Sequence, residues 1–414
     1  MNIERFRTPS RFFVYMLILM QVLTGCVSSS STRPDSVGPQ LSSTLDQDGM
    51  TSSIPYNGPK LDVVIPAFSP GLSKDEANYE KEGIWPELRR AEANRFAYKL
   101  KQALDDTGKF GAVRVTPDST ASGDLYVLGT IDESNGIDVK FDLNVIDASN
   151  KSWFDDTIKY EVTEGFYKNP NNADKDAYDP AFELAAARIV EALLKQQTAE
   201  LTKVKQIAEL RFGASFNDKA FMPYLDTSKK PITLVGFPSA NDPLYKQVNS
   251  IRVREQLFVD DMQSNYSDFS KQMEESYLLW QKGSFTELKL QQAAQMESIL
   301  KIVGGILLVV GGIAAGNSGD IRDNNTGNDI AAIAGTLGGA ALISSGVSST
   351  KEASLHQDAI NELGQSVNLE MSPKVVSFHG QTTKLTGDMS KQFKEWRNFM
   401  ARMYELEATP DTQL

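Results

Sequence analysis

The chain has 414 residues and carries 42 Lys and Arg against 54 Asp and Glu, a formal net charge of −12 at pH 7. That acidity opposes contact with phosphate backbones and argues against nucleic acid as a partner. A single cysteine, Cys26, excludes an internal disulfide, and only two histidines, His356 and His379, narrow the catalytic options. The chain opens like a secretory signal: Arg5, Arg7 and Arg11 form a basic region, Phe12 to Leu23 an apolar one, and Thr24 and Gly25 a small-residue cleavage site. A plain transmembrane anchor is the competing reading, but about a dozen apolar residues fall short of the ~20 that cross a bilayer.

Leu23-Thr24-Gly25-Cys26 resembles the lipobox of bacterial lipoproteins. The resemblance implies cleavage before Cys26, acylation of its thiol and freed amine, and membrane lipid as the first partner. Each buried methylene adds roughly 0.8 kcal/mol, so several acyl chains hold a protein on a bilayer durably. Removing residues 1–25 takes away three arginines and one glutamate and leaves a net charge of about −14. Val27 follows the acylated Cys in place of the Asp that retains enteric-type lipoproteins at the inner membrane, so the expected location is the periplasmic face of the outer membrane.

Residues 26–60 are rich in Ser, Thr, Pro, Gly and Asp and read as a flexible tether. Folded structure is expected from Leu61, where the β-branched run Leu61 to Phe68 reads as a strand. A helix follows, with Pro86 in its first turn, Leu88, Ala91, Phe96, Leu100 and Leu104 at helical spacing, and a stop at Gly108. Phe110 to Val115 reads as a strand, and Leu125–Ile131 and Ile137–Ile146 as a pair joined by the turn Glu133 to Gly136. Trp153 to Val162 supplies another strand. A helix then starts at Asp179-Pro180 and is expected to run on to about Leu210.

This element order, the opening strand and the run Asp124-Leu125-Tyr126-Val127-Leu128-Gly129 resemble the amino-terminal domain of TolB. The same likeness extends to the curli-secretion lipoproteins and the lipoprotein activators of peptidoglycan synthases. It covers roughly residues 61–197 and implies a TolB-N-like α/β domain with a mixed sheet, which with a C-terminal helical extension spans residues 61–230, binds other envelope proteins and is not an enzyme.

Residues 231–298 read as one strand, Pro231 to Pro238, and a long amphipathic helix opened by Asp242-Pro243. Ile251, Phe258, Met262, Phe269, Met273 and Trp280 form a stripe that packs either on its own domain or in a seam between subunits. Gly283 is expected to break this helix, with Ser284 to Glu287 restarting it by a capping box. Residues 299–347 form two apolar runs around the polar turn Asn317 to Asp329. Small residues, among them Gly304, Gly312, Gly316, Gly335 and Gly339, recur at four-residue spacing, which lets helices approach closely in lipid. The runs resemble the glycine-zipper hairpins of some outer-membrane lipoproteins. So many glycines need a packing reason, and membrane insertion is the expectation, with a hairpin buried in protein as the alternative.

Residues 348–414 read as a small α+β unit: Val367 to Met371 paired with Lys374 to Phe378, then a helix capped by Asp388 with Phe393, Trp396, Met400 and Met403 inward. No Walker loop, nucleophile elbow or His-Glu-x-x-His is present. The clusters Asp320/Asp323/Asp329 and Asp174/Asp176/Asp179 lack calcium-loop spacing and read as solvated loops. The sequence thus specifies an α+β chain with no catalytic residue, metal or cofactor. Its expected work is assembly or scaffolding with other envelope proteins or with copies of itself, in secretion or surface-structure biogenesis. Activation of a cell-wall enzyme is the alternative.

Overall fold

The computed structural model describes residues 55–73, 79, 84–304, 358–378 and 380–407. They belong to one of two compact units, Ser42–Leu414; the other, Met1–Leu41, lies outside the described residues. The chain is α+β.

A five-stranded mixed sheet is built from β1 (Val63–Pro66), β2 (Val113–Thr116), β3 (Leu125–Ser134), β4 (Asp138–Asp147) and β5 (Ser152–Glu161), in the order β2-β1-β3-β4-β5. β1 runs parallel to β2 and β3, and β3, β4 and β5 form an antiparallel meander. The alternation seen in the sequence sets the two faces of the meander. Val139, Phe141, Leu143 and Val145 point into the core, while Lys140, Asp142, Asn144 and Ile146 are half-buried on the other side.

Helices α1 (Pro86–Thr107) and α3 (Asp179–Leu194) cover the core face; a short α2 (Glu164–Lys168) lies between β5 and α3. Phe96, Phe141 and Phe182 meet there with ring centroids 5.1–6.0 Å apart. α1 ends where expected, because Gly108 takes φ +64°, a conformation that glycine adopts without a Cβ clash.

The helix expected to run to Leu210 is two helices. After α3 the chain turns through Lys195 to Gln197, and α4 (Thr198–Ala214) swings back so that Leu201, Ile207 and Leu210 rejoin the core. The stretch after it forms α5 (Asp218–Phe221), a 3₁₀ turn and the two-residue pair β6 (Leu225–Asp226) and β7 (Thr233–Leu234). The strand expected over Pro231 to Pro238 is no longer than β7.

α6 (Pro243–Gly304) is 62 residues long, about 93 Å at ~1.5 Å per residue. Asp242 caps it, its Oδ1 accepting from the amides of Leu244 and Tyr245 at 2.8 and 3.1 Å. The expected stripe is buried within its own domain: Ile251, Met262 and Met273 are fully covered. Gly283 does not break the helix. Glycine costs ~1 kcal/mol in a helix interior, but Trp280, Gln281, Ser284 and Phe285 are all buried around it and hold the helix through. At mid-helix the Gln263 amide donates to Val115 O and accepts from Val115 N, both at 2.9 Å. It thus satisfies the outer edge of β2 as a further strand would.

The tail closes with β8 (Lys374–Phe378), β9 (Gln381–Leu385) and α7 (Met389–Glu407). β8 pairs with β9, not with Val367 to Met371 as the alternation suggested. That earlier stretch is used to bind its surroundings: Asn94 donates to Val367 O and Gln392 to Met371 O, each at 2.8 Å. α7 is capped by Asp388 and packs Phe393 and Trp396 flat against Phe258 of α6. One continuous apolar core joins sheet, α6 and α7.

Candidate binding cleft

α6 crosses the whole length of the sheet and gives it two chemically different ends. At the start of β1 and β3, the loop Asp118 to Gly123 is fixed by hydrogen bonds. Thr120 N donates to Asp118, Ser122 N to Glu255 of α6 at 2.8 Å, and Gly123 N to the Tyr126 hydroxyl. Arg252, also on α6, donates to Ser122 Oγ at 3.2 Å. The loop forms one wall of a cleft of about 430 Å³. Its floor is Tyr126 and Leu128 of β3 and Ile146 of β4; α4 contributes Ala208, Arg211 and Phe212.

Two guanidinium groups converge on this cleft. Arg211 and Ser215 are one helical turn apart, on the same face of α4. Arg211 donates to Ala148 O at 2.6 Å and to Asn150 Oδ1 at 3.3 Å. Asn150 sits in the tight turn between β4 and β5 with φ +65°, a conformation its short polar side chain tolerates. Arg397 reaches across from α7 and donates to Thr120 O at 2.6 Å and Ser215 Oγ at 3.2 Å. Glu255 lies 3.5 Å from Arg397; burial pushes its carboxyl above the usual range, Arg397 and the Ser122 amide pulling the other way. Arg211 has no carboxylate within ion-pair distance among the described residues. Asp147, on the cleft wall, spends its oxygens on Ser149, Lys151 and the Trp153 indole.

At the other end, charges are sealed inside. Arg95 of α1 is fully buried and donates to Asp176 at 2.6 and 3.2 Å, to Glu274 at 2.6 Å and to Ser270 O at 3.2 Å. Its guanidinium lies 4.5 Å from the Tyr277 ring centroid. Asp176 also accepts from Gln281 at 2.7 Å. Burial would raise the Asp176 carboxyl, but Arg95 and Lys99 outweigh it and hold the group below the ordinary range. Asp176 is therefore a structural anion, not the solvated loop residue the sequence suggested. Beside it, buried Glu92 accepts from Ser134 at 2.5 Å and from Tyr277 at 2.8 Å. Burial lifts its pKa to about 7, Arg89 and the two hydroxyls only partly opposing. Arg95, Glu92 and their partners clamp α6 onto α1.

The sequence-predicted sites fall elsewhere. Cys26, Gly312, Gly316, Gly335, Gly339, the cluster Asp320/Asp323/Asp329, His356 and His379 lie outside the described residues. Gly304 is the last described residue of α6. Among the described residues there is no cluster of three or more His, Cys, Asp or Glu able to hold a metal. No described helix is long and apolar enough to cross a membrane; the first apolar run begins in the last residues of α6, and the second lies outside the described residues. The cleft arginines were not legible, since Arg211 and Arg397 are far apart in sequence and each reads as a solvated helix residue. No family model, curated protein or solved structure matches the chain, so its functional reading rests on its own residues.

Proposed function

We propose that this chain is a non-enzymatic lipoprotein of the cell envelope, held through Cys26 at the periplasmic face of the outer membrane. It serves as an assembly or scaffold component in secretion or surface-structure biogenesis. The likeness of roughly residues 61–197 to the TolB amino-terminal domain belongs to this proposal.

The observation that carries the reading is where the chain leaves for, and returns from, the apolar region. α6 leaves the domain beside the β3–β4 turn: Ser284 and Phe285 are buried against Gly136, and Lys289 still reaches Glu161 at 3.8 Å. The chain returns at the start of α1, where Trp85 donates to Asn361 at 3.1 Å and Arg90 to Gly364 O at 2.7 Å. Arg89 of that same turn donates to the carbonyls of Ile131 and Asp132, just before the β3–β4 turn. α6 therefore departs from the same end of the sheet to which the chain after residue 357 returns, and the tether joins at the other, before Leu61. Such an arrangement offers an apolar insertion to a membrane from one side of the domain. Spent carboxylates such as Asp147 and Asp176 support a binding role over a catalytic one.

The test is alkaline carbonate extraction of membranes carrying Cys26→Ser, followed by sizing in detergent. Retention in the membrane pellet and an oligomeric size are expected. Release as a soluble monomer would overturn the membrane-held assembly and favour an activator acting singly.

A further inference from the structure

We infer that the cleft at the start of β3 binds the free C-terminal end of a peptide whose last side chain is apolar. This goes beyond the envelope reading and does not depend on it, since the cleft is formed by described residues whatever residues 305–357 do.

The donor set selects the ligand. Arg211 gives only its Nη1 to fixed oxygens, Ala148 O and Asn150 Oδ1, which locks its position and keeps Nε and Nη2 for a ligand, while Arg397, already held by Thr120 O, Ser215 and Glu255, adds positive charge to the opposite wall. A planar carboxylate matches that fork with two oxygens. A phosphate needs more donors, and three amides of the loop that could cradle one, Thr120 N, Ser122 N and Gly123 N, already have partners inside the protein. Beside the arginines the floor is apolar, made of Leu128, Ile146 and Phe212, which suits an aliphatic or aromatic side chain attached to the carboxylate. At the rim, Ser119 and Asn150 offer polar groups to a peptide amide, which a plain acyl chain has no use for. Charge points the same way, because a chain of net charge −12 places on this wall an arginine, Arg211, with no carboxylate partner among the described residues.

The experiment uses the full-length chain in detergent and fluorescence anisotropy with a labelled Ala-Ala-Leu peptide bearing a free C-terminus. Saturable binding is expected, weakened at least about tenfold in the C-terminal amide of the same peptide, and by a similar factor in Arg211→Gln. An Ala-Ala-Asp peptide should bind more weakly than Ala-Ala-Leu. Arg211 is exposed, so its replacement leaves the fold intact, and an unchanged melting curve verifies that. Equal binding of acid and amide would overturn the inference, as would no binding at all. Displacement by inorganic phosphate at the peptide's own affinity, or tighter binding of decanoate than of the peptide, would overturn it in favour of a general anion site or an acyl site.

Discussion

The two ends of the sheet use arginine in opposite ways. Arg95 is completely enclosed, with Asp176, Glu274 and a backbone carbonyl absorbing its donors. Arg211 is exposed and, among the described residues, fastened by neutral oxygens alone. A buried ion cluster fully committed to its own partners holds elements together and has nothing left to offer a ligand. A guanidinium oriented by carbonyls and left open is preorganised for an anion it has not yet met. Charge content alone does not separate the two, but the partner list does.

The largest effect expected from breaking this contrast is at the enclosed end. Arg95→Met should cost about 3–5 kcal/mol, because it takes away the main partner of buried Asp176 and leaves only Lys99, at 3.7 Å, to offset its charge. Urea denaturation checks it, and a midpoint close to wild type would mean that the cluster does not clamp α6.

Glu92 comes next, through pH. Its folded pKa of about 7 stands above the ordinary 4.5, so the folded state binds the proton more tightly than the unfolded chain does. Its contribution is fully present below about pH 4.5 and is lost as pH rises through about 7, a change of up to about 3 kcal/mol. Glu92→Gln, which keeps an acceptor for Ser134 and Tyr277, should flatten that part of the stability–pH curve. A mutant curve that falls as steeply as wild type would assign the slope to other groups.

Between the ends, Gln263→Ala should cost about 1–2 kcal/mol by leaving the buried amide of Val115 without an acceptor. Hydrogen exchange at Val115 reports it directly. The smallest effect is at the open end: Arg211→Gln should stay within about 0.5 kcal/mol of wild type in thermal melting. A large loss there would make Arg211 structural and erase the contrast.

How far the sequence reached follows from the range of each signal. Local signals held: Gly108 stops α1, Asp242 and Asp388 cap their helices, and the alternation of β4 sets its two faces. Signals that depend on distant partners did not. The glycine and capping box at Gly283 to Glu287 spell a helix break, yet burial of Trp280 and Phe285 on either side overrides them. Val367 to Met371 alternates like a strand but spends its carbonyls on Asn94 and Gln392, residues of two different helices. Asp176 looks like a loop acid until Arg95 is placed beside it. The cleft needs Tyr126, Arg211 and Arg397 from three elements, and no spacing in the chain joins them.

Which end faces the membrane is the central question, and one measurement addresses it. With Cys26 acylated, a thiol placed at Leu290 or at Lys60 is the only one available for a fluorophore. Leu290 is 66% exposed just past the point where α6 leaves the domain, and Lys60 is exposed at the opposite end, where the tether joins. In vesicles containing a headgroup quencher, the label at Leu290→Cys should be strongly quenched and the label at Lys60→Cys much less so. Covalent geometry lets the ~29 residues from Cys26 to Pro55 span up to roughly 100 Å, so the tethered end is free to stand clear. Stronger quenching at position 60 than at 290 would mean that the domain hangs from its tether alone, and would contradict an apolar run presented to the bilayer by α6.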